Sequence, residues 1–214
     1  MCSFIVRMQF CNLVDSMETP DSLHAYWFGG AADDAAGQRQ SKLWWSKDAR
    51  LDAELLERFG DLAAAARSGR LEAWGDTVRG RLALILLTDQ LPRNIFRGTP
   101  EAFASDQQAR QLCLAGLERG DDKLLQPIER VFFYLPLEHS ESMPHQECSV
   151  RLYTALFQQV PQAVMEQYRG YLTYALRHRR VIERFGRFPH RNAVLGRVST
   201  PEEAAFLKEP GSSF

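Results

Sequence analysis

The chain has no stretch in which apolar and polar residues alternate over the length of a strand. That excludes a sheet as the organising element and leaves helices to build the core. Cysteine is also scarce. Cys2, Cys11, Cys113 and Cys148 make no C-x-x-C pair and fit no zinc-knuckle spacing, so no disulfide framework is expected. The reading is a reducing compartment, the cytoplasm, with Cys113 and Cys148 as small core filler. No apolar run approaches the length of a membrane-crossing helix, and no membrane partner is expected. Charge of one sign is lacking too. The 26 Lys and Arg against 27 Asp and Glu leave a formal net charge of -1, which gives no global field for nucleic acid, and no nucleic-acid-binding motif is present. There is no fixed-period repeat. A metal site drawn from His139, Glu141, His145 and His190 has no supporting spacing, and neither a metal nor a cofactor is expected.

What the chain does have is 214 residues, 45% of them apolar, enough for one domain with a sizeable core. Residues 1–16 differ from the rest: a short apolar run broken by Arg7, with no small-residue cleavage site after it. Met17 stands directly before a helix start. We therefore expect a single helical domain over 17–214 and a non-native or disordered extension over 1–16.

Three segments open alike, at Thr19-Pro20-Asp21, Thr99-Pro100-Glu101 and Thr200-Pro201-Glu202-Glu203. Thr caps, Pro suits the first helical position, and an acid favours the positive end of a helix. Thr200 with Glu203 makes a capping box. Helices are expected over 20–28, closed by Gly29-Gly30, and over 48–67, with a polar loop at 31–40 between them. A helix over 81–89 is apolar nearly all round and reads as central. Further helices are expected over 99–118, 125–135, up to 159 after a break at 136–141, 164–185 and 201–207. The twin Trp44-Trp45 read as core anchors. The fold class is all-α, about eight antiparallel helices joined by short links.

Three turns gather polar groups against these oily helices. The first holds Asp89, Gln90, Arg93 and Asn94. The second holds His139 and Glu141. The third, within Phe185–Asn192, holds Arg187, His190, Arg191 and Asn192, with His178 upstream on the helix that leads into it. This last region is densely basic: from Arg177 to Arg197 the only acid is Glu183. Burying Arg or Asp without a partner costs several kcal/mol, about 3 or more, so the turns gain by converging.

Each turn also has a plainer reading. Asp89 and Arg93 fit a local i,i+4 pair, with Pro92 liable to spoil it. Gln90 and Asn94 fit backbone ties. Ser140 fits a cap of the following helix with Glu141 at its positive end. Against that, His139 fits a general acid or base oriented by a carboxylate. Ser140 has no nucleophile elbow around it. Arg187 and Arg191 fit either a cluster on helix carbonyls, with Gly186 in a left-handed cap, or a guanidinium fork for an anion.

Several blocks together carry a family likeness: Trp44-Trp45 with Lys47-Asp48, Arg81-Leu82-Ala83-Leu84, the run from Asp89 to Gly98, Ala102-Phe103, Leu135-Pro136-Leu137 with His139-Ser140-Glu141, Gln146, and Phe185–Asn192 with Leu195-Gly196-Arg197. In these the chain resembles domain-of-unknown-function family 924, a bacterial family with an all-helical, tetratricopeptide-like fold. The resemblance runs from about residue 19 to 214. It implies the helical fold and supplies no established activity. Where the family pattern leads us to expect an acid after His-Ser-Glu, this chain has Ser142.

Two functions follow as expectations. One is a pocket for a small anionic molecule, with acid–base chemistry such as hydrolysis. His139, Glu141 and His190 would be its catalytic groups, the two histidines as proton carriers that Glu141 or Asp89 orients. Asp89, Gln90, Arg93, Asn94, His178, Arg187, Arg191 and Asn192 would contact the ligand. The other is a helical scaffold that grips a peptide or protein, its polar turns purely structural.

Overall fold

Helices form where the sequence marks their ends, and several go on where it marks a stop. The computed structural model describes residues 18–33 and 35–213. The expectations for residues 1–16 and for Met17 lie outside the described residues. Helix α1, Pro20–Phe28, opens on a capping box. Thr19 Oγ1 accepts from the Ser22 N–H at 3.1 Å, and Ser22 Oγ accepts from the Thr19 N–H at 2.7 Å. Gly29, at φ 71°, closes it.

The expected loop at 31–40 is largely helical: α2 spans Ala36–Trp45. Its polar composition hides a narrow buried face of Ala36, Leu43 and Trp44. Tertiary ties to the end of α1 hold it, with Gln40 Nε2 donating to the Tyr26 carbonyl at 2.7 Å and Trp44 Nε1 to the Trp27 carbonyl at 2.8 Å. Trp44 is buried, whereas Trp45 is half exposed and stacks on Phe132. Helix α3, Ala49–Arg67, follows with Asp48 as its cap.

Helix α4, Val78–Ile85, does not stop at Asp89. It widens into a π-helical turn over Leu86–Gln90 and continues as α5, Leu91–Ile95. Pro92 has no N–H and would press on the carbonyl one turn back in a regular helix. The wider turn, closed by Leu91 N–H to the Leu86 carbonyl, takes up that conflict. Thr99 opens only a short 3-10 turn, Pro100–Phe103, and α6 begins later, at Asp106–Arg119.

Helix α7, Pro127–Glu138, runs through Pro136 instead of breaking there. Its last carbonyls find a side-chain donor: Gln146 Nε2 bonds the carbonyls of Glu138 at 2.6 Å and Ser140 at 2.7 Å. Ser140 does not cap the next helix. That helix, α8, Met143–Gln159, starts from Ser142, and Ser140 Oγ lies 2.9 Å from His145 Nδ1. Helix α9, Met165–Phe185, ends on Gly186 in the left-handed region, and α10 spans Pro201–Phe206.

Eight of these helices, α1–α4 and α6–α9, have eight or more residues. No strand occurs among the described residues. Helix α4 is the axis, packing against α1, α6 and α7, while α7, α8 and α9 pack in succession. The main core joins Trp27, Phe28, Phe59 and Phe132 to the apolar run Leu82–Leu87. A smaller cluster of Val181, Ile182 and Phe188 holds the C-terminal segment. No helix among the described residues is long and apolar enough to cross a membrane.

Candidate functional site

Three chain segments far apart in sequence meet where the central helix changes pitch. The π-turn points Asp89 inward, where its side chain is fully buried. His139, at the C-cap of α7, sets Nδ1 2.8 Å from Asp89 Oδ1 and 3.0 Å from Oδ2. Arg93, one turn on, places Nη1 3.1 Å from Asp89 Oδ1, also donates to the Asp89 carbonyl, and reaches Asp106 on α6 at 2.9 Å. Gln90 donates its amide to Asp89 Oδ2. Burial opposes ionisation of Asp89, but the Arg93 charge and then His139 outweigh it and hold the carboxyl well below the usual range.

The same burial pushes His139 down, with Arg93 adding to it and Asp89 pulling the other way. The imidazole is therefore neutral at neutral pH. A carboxylate on Nδ1 fixes the tautomer with the proton there. Nε2 then carries the free lone pair, and His139 lines a cleft.

Arg191 comes from the 3-10 turn Pro189–Arg191 that follows α9. Its guanidinium lies between two rings, 4.8 Å from the centroid of Phe103 and 4.4 Å from that of Phe188. Nη1 donates to the His139 carbonyl at 3.0 Å and reaches Asp106 at 3.5 Å. Nε is buried with no acceptor. Burial, helped by Arg93, lowers its pKa to about 10, so it remains a cation.

Beneath His139 sits a second buried layer. His178 Nδ1 donates to the Tyr174 carbonyl at 2.9 Å and lies 3.0 Å from Glu138 Oε1. Burial raises Glu138 to about 8 and drives His178 well below its ordinary value, so the pair is neutral.

The cleft above has a volume of about 410 Å³. Its polar lining is His139, Ser140, His145, Arg191, Asp106 and Arg110, with Glu141 and Ser142 at one side. Phe103, Pro100, Ala104 and Leu195 supply an apolar wall. Arg110 has no ion pair among the described residues, although Asp106 lies one turn away on α6.

Other expected residues go elsewhere. Glu141 does not orient His139; Asp89 does. Glu141 accepts from the Phe188 N–H at 2.8 Å and pairs with Arg197 at 2.7 Å. Arg187 and Asn192 both turn to Glu203, the second half of the Thr200 capping box, and neither lines the cleft. Burial brings the pKa of His190 to about 4, and the residue lies behind the lining. Asn94 is half-buried on α5, outside the cleft. Among the described residues, no three His, Cys, Asp or Glu gather as a metal would require.

Sequence reading passed over Asp106 and Arg110, which sit on an ordinary amphipathic helix with nothing local to mark them. It also passed over Glu138, hidden at the end of an apolar helix, and Arg197. A carboxylate inside so apolar a stretch as residues 131–138 was the one available signal.

The model of a family described as bacterial protein of unknown function (DUF924) matches residues 23–211. A solved structure of a protein of unknown function from Agrobacterium tumefaciens is similar at 36% sequence identity and a TM-score of 0.75, covering 88% of this chain and 96% of that one. No curated protein matches.

Proposed function

Since the chain belongs to the DUF924 family of bacterial proteins of unknown function, its role has to be read from its own cleft, and we propose that it binds a small anionic molecule there and acts on it by acid–base chemistry. One observation carries the reading. A neutral imidazole, locked by a buried carboxylate 2.8 Å away, shares a single cleft with two arginines, Arg191 and Arg110. Guanidiniums hold an anion in place, and the lone pair on His139 Nε2 serves as general base towards it. The volume, about 410 Å³, suits a small molecule.

The scaffold alternative calls for a polar cluster that is fully paired with no hollow beside it. An open cleft lined by Arg110, which has no ion pair among the described residues, favours the ligand. The test is thermal stabilisation by a panel of small carboxylates and phosphates. Wild type is expected to gain several degrees with at least one of them. Arg110→Ala is expected to lose that gain while circular dichroism stays helical. If no anion stabilises wild type, or if Arg110→Ala responds as wild type does, the proposal fails.

A further inference from the structure

We propose that the ligand is a singly charged carboxylate with an apolar body, a monoanionic amphiphile rather than a phosphate or a dicarboxylate. This rests on the anion-site reading above and narrows it. The argument is a charge balance. The carboxylates that line the cleft or pair with its lining are Asp89, Asp106 and Glu141. The guanidiniums of the same network are Arg93, Arg191 and Arg197, and Arg110 stands beside them without an ion pair. His139 and His145, both pushed down by burial, add no charge at neutral pH. One positive charge is left unmatched.

One anionic charge neutralises that excess. A second would sit in a partly enclosed hollow beside Asp106 and Glu141, where like charges repel more strongly than in water. The donors also suit a carboxylate head. Arg191 lies over the Phe103 and Phe188 rings, and the N–H groups of its planar guanidinium lie in one plane, the geometry that a planar carboxylate matches.

Beside these donors part of the wall is apolar. Phe103, Pro100, Ala104 and Leu195 offer surface that a charged or hydroxylated tail would have to desolvate against. A short alkyl or aromatic body gains there instead.

Isothermal titration calorimetry on the full chain at pH 7 tests this with acetate, butyrate, hexanoate, benzoate, succinate and inorganic phosphate. Affinity is expected to rise from acetate to hexanoate and to fall at least about tenfold for succinate and phosphate. Leu195→Asn, at a half-buried position, makes the wall polar without adding charge and is expected to flatten the chain-length trend and leave acetate little changed. Tighter binding of phosphate or succinate than of hexanoate, lost in Arg110→Ala, would overturn this inference and leave the anion site standing. No binding by any of the six overturns both.

Discussion

Asp89→Asn isolates the interaction at the centre of the molecule. The substitution keeps the shape of a fully buried side chain and removes only its charge. Arg93 loses a partner at 3.1 Å and His139 loses the anion on Nδ1. Removing one member of a buried pair costs about 3–5 kcal/mol, because the other charge is left uncompensated. Here the low end applies, about 3 kcal/mol, since Arg93 keeps Asp106 at 2.9 Å and the new amide oxygen still accepts from Nδ1–H. For a chain of this size that lowers the melting temperature by roughly 6–12 °C. The pH dependence gives a second handle. The folded pKa of Asp89 lies below its unfolded value, so its contribution is complete above about pH 4 and fades as acid carries the pH down towards the folded value. Urea melts of both proteins at pH 7 and below pH 4 measure the gap. It should be full at pH 7 and narrower in acid. A loss under about 1 kcal/mol at pH 7 would refute the central role of the Asp89–Arg93–His139 cluster.

Three further expectations concern other parts of the fold. Glu138→Gln should stabilise the protein more at pH 8 than at pH 5, by about 3 kcal/mol, as urea melts at the two values will register. The reason is that a carboxyl raised to about 8 by burial holds a proton its unfolded form has released, a cost that grows as pH climbs from its ordinary value near 4.5 towards 8. Gly80→Ala should cost about 1–3 kcal/mol in chemical denaturation, because a Cβ there meets the Trp74 carbonyl oxygen, a backbone atom with no rotamer to escape into. Thr200→Ala should cost about 1 kcal/mol by removing the hydroxyl that accepts from the Glu203 N–H, and hydrogen exchange in α10 should rise before that of α4.

Several helix ends were legible from a local rule, although Thr99, with the same Thr-Pro-acid signal, opens only a 3-10 turn. Thr19 and Thr200 cap as expected, and Gly120 and Gly186 close their helices in the left-handed region, which only a glycine enters at little cost. The prolines misled. Pro92 and Pro136 read as breaks, yet a widened turn takes up the first and α7 runs on through the second to Glu138. Helix α2 was missed because its stability lies in bonds to the α1 carbonyls, not in its own composition.

By itself, then, the sequence determined an all-helical chain with an apolar central helix and three polar segments that needed partners. It determined this because caps, periodicity and the cost of a stranded charge are local properties. Which partner each charge takes was decided only by the tertiary structure. Asp89 and His139 lie 50 residues apart, and Arg191 reaches the His139 carbonyl across 52. Glu203 captured Arg187 and Asn192 because the last short helix folds back beside them, and Asp106 and Arg110 face the cleft because α6 packs on α4 and α7. Such choices depend on distance and burial, which appear only when the helices are stacked.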